Sequence, residues 1–120
     1  MAYRVLIVDD NALMRRTLRS CIEHDTDWRV CGEADNGQLA VDKVQELKPD
    51  VVILDFQMPV MNGLDAARRI ASSAPSTAMV MLTINNSRQL RQDARAAGIK
   101  AVLSKSDADH LLVSLRKLRA

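Results

Sequence analysis

Short runs of apolar, largely β-branched residues recur along this chain and show no alternation with polar residues. The runs are VLIV at 5–8, VVIL at 51–54, AMVML at 78–82 and AVL at 101–103. Continuous apolar runs of this length are typical of strands buried on both faces, as in a parallel sheet covered by helices. A fifth, less regular strand is predicted at Trp28–Ala34. The pattern therefore predicts the centre of an α/β domain.

Between these runs, apolar residues recur at intervals of three and four, the spacing of an amphipathic helix. The helical positions are Met14, Leu18, Cys21 and Ile22; Leu39, Val41, Val44 and Leu47; Leu64, Ala67, Ile70 and Ala71; and Leu111, Leu112, Leu115 and Leu118. A weaker pattern covers 87–97 and ends before Gly98. Strand and helix thus alternate five times. Right-handed crossovers then predict a doubly wound, three-layer α/β domain with a five-stranded parallel sheet and five helices, and the length of 120 residues suits one domain, 1–120.

Polar side chains stand where the apolar runs end. Asp9 and Asp10 follow the first strand, Asp55 and Thr83 close the third and fourth, and Lys105 comes shortly after the fifth. Each residue alone could be a helix cap, a turn residue or a solvated charge. In a doubly wound sheet, however, the carboxyl ends of the strands border one crevice, so the set predicts a single site.

The expected chemistry of this crevice follows from its charge. Three carboxylates repel one another, so the site needs compensating positive charge or a carboxyl with a raised pKa. Mg²⁺ together with Lys105 balances the three negative charges, and carboxylate oxygens of Asp10 and Asp55 suit this ion. A carboxylate beside a metal can act as a nucleophile toward an activated phosphoryl group, which gives an acyl phosphate. Thr83 and Lys105 could then bind the phosphoryl oxygens.

The composition, 48% hydrophobic and 27% charged residues, is that of an ordinary globular protein. No apolar run approaches the ~18 residues of a membrane span, and no signal peptide pattern follows Met1, so we expect a cytoplasmic protein without a membrane partner. Cys21 and Cys31 lack CxxC spacing and are predicted to be buried, reduced thiols. His24 and His110 are isolated, which leaves a zinc site unsupported.

Basic residues are concentrated near the carboxyl terminus. Residues 86–120 hold eight Lys or Arg and three Asp, and because the net charge is +2, residues 1–85 carry −3. This basic segment could face a partner or form a solvated surface. The aromatic residues Tyr3, Trp28 and Phe56 offer no stacking platform, so we expect no direct binding of nucleic acid.

Four motifs resemble those of the receiver domain of bacterial two-component response regulators, and the resemblance covers essentially the whole chain. They are IVDD at 7–10, LDFQMPVMNG at 54–63, LT at 82–83 and SK at 104–105. The resemblance implies a flavodoxin-like sheet of order 2-1-3-4-5. It also implies a signalling switch that catalyses its own phosphorylation from the phosphohistidine of a sensor histidine kinase and slowly loses the phosphoryl group again.

The resemblance also implies roles for individual residues. Asp55 is the phosphoacceptor, and Asp9, Asp10, Asp55 and the backbone carbonyl of Gln57 hold Mg²⁺. The switch hydroxyl and the phosphate-binding lysine of the family match Thr83 and Lys105. Gln57 and Asn85 match positions that flank the path of the hydrolytic water and tune dephosphorylation. Signalling is expected through the surface of the fourth helix, fifth strand and fifth helix.

The segment VCGEADNG at 30–37 resembles the NarL/LuxR-type subclass, whose receivers precede a DNA-binding domain in transcription regulators. No such domain follows here, which predicts either a truncated or a stand-alone receiver, with a DNA-binding output domain, a homodimer or another protein as partner. Two positions depart from the family. Val102 replaces the usual Tyr or Phe of the output switch, and Ser106 replaces the usual Pro, so we expect a trans peptide bond there.

Three other functions share parts of this pattern. Haloacid-dehalogenase-type phosphatases also use an Asp nucleophile, but their second acid is replaced by Gln57 here. Flavin or nucleotide binding is disfavoured because the first loop, Asp9-Asp10-Asn11, has no glycine-rich phosphate cradle. A pseudo-receiver that acts only as a phosphorylation-independent interaction module remains the alternative.

Overall fold

A computed structural model describes the backbone of residues 2–119 and the side chains of this range other than 107–109 and 119. The strands are β1 (Tyr3–Val8), β2 (Trp28–Ala34), β3 (Val51–Asp55), β4 (Ala78–Thr83) and β5 (Ala101–Ser104). The helices are α1 (Ala12–Glu23), α2 (Gly37–Leu47), α3 (Gly63–Ser73), α4 (Arg88–Ala96) and α5 (Leu111–Arg119), and a 3₁₀ segment, Lys105–His110, precedes α5. All five predicted strands and all five predicted helices are therefore present.

The five strands form one parallel sheet in the order β2-β1-β3-β4-β5, as the resemblance implied. Alternate residues of each strand enter two apolar clusters, one on each face of the sheet. Helices α1 and α5 cover the face that contains Val5 and Ile7, and α2, α3 and α4 cover the face that contains Leu6 and Val8. This is the predicted three-layer, doubly wound arrangement.

Burial on both faces explains why the central runs lack polar alternation. Every residue of β3 is buried, and so are five of the six residues of β4. The edge strands differ, since β2 contains exposed Arg29 and all four residues of β5 are half-buried. Residues 101–103 pack against the apolar clusters on both faces, as predicted, but they are half-buried rather than buried, because β5 is an edge strand with a neighbouring strand on one side only.

Polar caps set the beginnings of four helices. The side chains of Asn11, Asn36, Asn62 and Ser87 accept hydrogen bonds from backbone amides three residues ahead, at the starts of α1, α2, α3 and α4 respectively. Three of these caps, at α1, α3 and α4, immediately follow the loops that carry the polar residues of the crevice. The caps therefore fix where those loops end.

The predictions for the two cysteines and for the Lys105–Ser106 peptide bond can be compared with the structure. Cys21 and Cys31 are free thiols, as predicted, but they are half-buried rather than buried, and burial raises the pKa of Cys31. The Lys105–Ser106 bond is trans, as expected, like the other peptide bonds of the described range. Within residues 2–119, no helix is both long enough and apolar enough to cross a bilayer.

Candidate functional site

The acidic residues lie where β1 and β3, neighbours at the centre of the sheet, reach their carboxyl ends. Asp9 continues the ladder beyond β1, since its N–H donates to the carbonyl of Ala34 at 3.0 Å. Asp55 is the last residue of β3. Asp9 and Asp55 are only 1% and 5% exposed, whereas Asp10 is exposed. The strand ends thus bring two buried carboxylates and one accessible carboxylate together.

One oxygen from each of Asp9, Asp10 and Asp55 lies within 4.8 Å of the others. Burial raises the pKa of Asp55, and the negative charges of Asp9 and Asp10 raise it further, while Lys105 opposes the shift. The ionised cluster is therefore unfavourable without further positive charge. A hard cation with oxygen ligands fits this donor set.

Lys105 reaches the cluster from the residue that follows β5. Its Nζ lies 3.0 Å from Oδ2 of Asp9 and 3.1 Å from Oδ2 of Asp55. Burial alone would lower the pKa of Lys105, but the hydrogen bonds and charges of the two aspartates outweigh it and raise that pKa. Lys105 is therefore a cation at the site. It neutralises one of the three negative charges of the cluster.

The loop between β3 and α3 is held close to Asp55. The N–H of Gly63 donates to the carbonyl of Phe56 at 2.8 Å. A Cβ atom at position 63 would overlap the backbone oxygen of Asp55, so only glycine permits this approach. Gln57 lies in this loop and is exposed. The NG pair that ends the 54–63 motif thus has a physical explanation, with Asn62 as the cap of α3 and Gly63 as the point of close contact.

Thr83 closes β4 next to this loop and is 3% exposed. Its Oγ1 accepts a hydrogen bond from the N–H of Asn85 at 3.1 Å, so the hydroxyl is engaged with the β4–α4 loop. A cavity of about 240 Å³ lies beside it, lined among others by Phe56, Gln57 and Leu90. The exposed Asn85 borders the same cavity. This loop therefore has free space next to its contact with Thr83.

Two residues at the site were missed by the sequence reasoning. Arg15 of α1 donates to the backbone oxygen of Asp9 at 2.7 Å and to Oε1 of Glu33 at 3.0 Å. Glu33 lies 18 residues further along, on β2. No local sequence spacing connects Arg15 on α1 with Glu33 on the edge strand β2. The sequence offered only a weak signal for this pair, namely that each is a charged residue in a segment that is otherwise half-buried. Val102 packs, half-buried, against the side of the sheet that α2, α3 and α4 cover.

Comparison with known proteins agrees with this arrangement. Residues 5–116 match the family described as the response regulator receiver domain. The chain is 41% identical to the chemotaxis protein CheY of Thermotoga maritima, over 88% of this chain and 87% of that protein. It is also 42% identical to a protein-glutamate methylesterase/protein-glutamine glutaminase of Idiomarina loihiensis, over 72% of this chain and 22% of that protein. The chain thus spans about a quarter of the length of the methylesterase relatives.

Solved structures give the same result. The response regulator domain of Thermotoga maritima CheB superposes with a TM-score of 0.91 at 32% identity, over 98% of this chain and 96% of that one. A LuxR-family response regulator from Aurantimonas superposes with a TM-score of 0.93 at 25% identity, over 98% and 85%. The relatives thus include CheY and CheB proteins as well as the LuxR family, and they do not single out the predicted NarL/LuxR subclass. The match over 5–116, the shared fold and the carboxylate site together show that the chain belongs to the response regulator receiver domain family.

Proposed function

We propose that this domain is a phosphorylation-activated switch that accepts a phosphoryl group on Asp55 from the phosphohistidine of a sensor histidine kinase. The observation that carries the proposal is the position of Asp55, a buried carboxylate at the end of a central strand. Lys105 lies 3.1 Å from it, and two further carboxylates surround it. Asp9 is more deeply buried and its Oδ1 accepts from the amide of Asn11, which leaves it less available as a nucleophile.

The transfer is a substitution at phosphorus. An oxygen of the Asp55 carboxylate forms a bond to phosphorus, the bond from phosphorus to the imidazole nitrogen breaks, and the electron pair stays on that nitrogen, which takes up a proton. The products are an acyl phosphate on Asp55 and a neutral histidine. Lys105 is already in place to pair with a phosphoryl oxygen, and the Thr83 hydroxyl is within the same group of strand ends.

Mg²⁺ is the proposed cofactor. Asp9, Asp10, Asp55 and the backbone carbonyl of Gln57 would hold it, and the bound ion would neutralise charge on the phosphoryl oxygens. The clustered oxygens support this assignment, because Lys105 balances only one of their three negative charges. We further propose that the exposed amides of Gln57 and Asn85 set the lifetime of the acyl phosphate. Neither is a strong base, so spontaneous hydrolysis should be slow.

The proposed output surface is the face formed by α4, β5 and α5. Helix α4 carries exposed Arg88, Arg91 and Arg95, so a basic surface adjoins the β4–α4 loop. This face could bind a partner protein, a second copy of the domain or a DNA-binding output domain. The similarity of the chain to LuxR-family structures supports the last of these, and its similarity to CheY supports a free protein partner.

The test of the proposed function is labelling of the purified domain with a small acyl phosphate. We expect one phosphoryl group per chain when Mg²⁺ is present and none when the metal is chelated, because the carboxylate cluster lacks sufficient positive charge alone. Peptide mapping of the adduct should place it on Asp55. A label on Asp9 or Asp10 would contradict the assignment, and no label at all would favour a phosphorylation-independent interaction module.

The metal assignment has its own test. Replacing Asp10 with Ala should weaken Mg²⁺ binding by about tenfold, since it removes the exposed carboxylate of the cluster without touching the buried pair. A calorimetric titration measures the change. Asp35→Ala, an exposed aspartate on the loop before α2, is the control and should bind Mg²⁺ like the parent. Unchanged affinity in Asp10→Ala would remove Asp10 from the metal ligands.

A further inference from the structure

The guanidinium of Arg15 connects helix α1, strand β2 and the loop that begins with Asp9 and Asp10. One nitrogen donates to the backbone oxygen of Asp9 at 2.7 Å, and Nε donates to Oε1 of Glu33 at 3.0 Å. The side chain of Arg15 is 20% exposed, so this bridge is largely shielded from solvent. A planar guanidinium with several donors can hold two acceptors in a fixed relation, which a single-point cation does not do.

The backbone at Asp9 needs such a contact. Its N–H is the last to be bound within the sheet, through the carbonyl of Ala34. Its carbonyl belongs to the peptide that joins Asp9 to Asp10, beyond the end of β1. We infer that Arg15 is a positioning residue that fixes this peptide and thereby sets the relative placement of the two carboxylates. The inference rests on the proposed metal-binding role of Asp9 and Asp10.

Glu33 makes the bridge rigid. Its Oε2 accepts two bonds from Arg19, at 3.1 and 2.9 Å, so both of its carboxylate oxygens are occupied. The backbone oxygen of Glu33 accepts a bond from Nζ of Lys43 at 2.6 Å. Side chains of α1 and α2 thus hold Glu33 of β2 in place, and Arg15 connects Glu33 to the backbone of Asp9. Outer partners of this kind hold metal ligands in place, and their loss commonly costs about 10- to 100-fold in metal affinity.

The charge of Arg15 gives the inference a definite sign. If Arg15 acted only as a nearby positive charge, its removal would make the acidic site more negative and strengthen the binding of Mg²⁺. If Arg15 positions the carboxylates, its removal weakens binding despite the favourable change in charge. The two explanations therefore predict opposite directions for one measurement.

The experiment compares Mg²⁺ titrations of the parent, Arg15→Gln and Arg16→Gln. Arg16 is the next residue of the same helix, is exposed, and makes no ion pair among the described side chains, so its substitution removes the same charge without the bridge. We expect about tenfold weaker binding for Arg15→Gln and binding equal to or slightly tighter than the parent for Arg16→Gln. In the metal-free proteins, amide exchange of Asn11, whose N–H donates to Oδ1 of Asp9, should be faster in Arg15→Gln only. Equal or tighter Mg²⁺ binding by Arg15→Gln would overturn the inference.

Arg15→Lys covers the case in which Arg15→Gln fails to fold. Lysine keeps the charge but cannot hold both acceptors, so we expect binding about threefold weaker than the parent; parent-level affinity together with parent-level exchange at Asn11 would contradict the bridge. Mg²⁺ binding and labelling of the unsubstituted parent distinguish failure of the proposed function from failure of the proposed role of Arg15. A parent that neither binds Mg²⁺ nor is labelled on Asp55 defeats the proposed function itself, whereas a normal parent with a normal Arg15→Gln defeats only the positioning role.

Discussion

Replacing Asp55 with Asn is expected to abolish labelling by a small acyl phosphate and, at the same time, to make the metal-free domain more stable. Labelling is lost because an amide oxygen is a poor nucleophile and the other two carboxylates are differently placed. Asp9 is 1% exposed and its Oδ1 accepts from the amide of Asn11, and Asp10 is exposed and lies outside the strands, unlike the buried Asp55 at the end of β3. The measurement is the mass of the intact protein after incubation with the phosphodonor and Mg²⁺.

Stability should rise because the ionised form of Asp55 is unfavourable in the folded domain. Burial and the charge of Asp9 raise its pKa even though Lys105 opposes them. Because the raised pKa means that ionised Asp55 disfavours the folded state, the neutral Asn should raise the Tm of the metal-free domain at neutral pH. Lys105 keeps a partner, since its contact with Asp9 remains.

The pH dependence of this gain follows from the direction of the pKa shift. A carboxyl whose pKa is raised on folding destabilises the folded state fully at pH values above the folded pKa. The penalty disappears as the pH falls toward the ordinary carboxyl value of about 3.9. The difference in Tm between Asp55→Asn and the parent should therefore be present at neutral pH and shrink in acid.

Asp42→Asn is the matched control, since Asp42 is exposed on α2 and bonds only to Gln38 among the described residues. It makes the same change of charge, and it should be labelled like the parent and have nearly the same Tm. Loss of labelling together with a lower Tm in Asp55→Asn would indicate that the substitution damages the fold. Retained labelling would show that Asp55 is not the acceptor.

The sequence was most informative where both sides of an element are covered. Strand β3 has no exposed residue, so its apolar run has no interruption. Helix α4 buries only Leu90 and Ala94, which is why its pattern was weak although the helix is present. The half-exposed β5 was found but its burial was overestimated. For β3 and α4 the strength of the sequence signal thus follows the fraction of the element that is buried, whereas for β5 it does not.

The candidate site was predictable for a different reason. Parallel strands end at one edge of the sheet, so residues at strand ends meet whatever the details of packing, and Asp9, Asp55 and Lys105 do so. The Arg15–Glu33 bridge could not be found in this way. This bridge joins helix α1 to the edge strand β2 through two long side chains. Its formation depends on the register of β2 and on the rotation of α1 about its axis, and the charged residues alone specify neither.

The switch can be tested at Thr83. Its hydroxyl accepts the amide of Asn85, and a cavity of about 240 Å³ separates the β4–α4 loop from the β3–α3 loop. Ile84, next in the chain, is 77% exposed. If Thr83 turned toward a phosphoryl group on Asp55, its bond to Asn85 would break, and the loop would have both the freedom and the space to move inward.

The presence of Val102 leads us to expect that this movement is confined to the loop and α4. In related receivers an aromatic ring at this strand position is expected to move with the switch hydroxyl, but valine is short, stiff at χ1 and held half-buried against the α2–α4 side of the sheet. It cannot exchange a ring-sized volume with the cavity. We therefore expect the backbone of the loop and of α4 to respond to phosphorylation, while strand β5 stays nearly unchanged.

The measurement is hydrogen exchange of the domain with and without beryllofluoride, which mimics the phosphoryl group on Asp55. Exchange should change most in residues 84–95 and little in 101–103. Thr83→Ala should erase the change in 84–95 and still be labelled on Asp55, because the hydroxyl responds to the acyl phosphate without forming it. Thr83→Ser keeps a hydroxyl at the same position and should respond like the parent. A silent 84–95 segment in the parent, or a parent-like response in Thr83→Ala, would rule out this mechanism, because the hydroxyl is the group through which the phosphoryl oxygens are proposed to reach the loop.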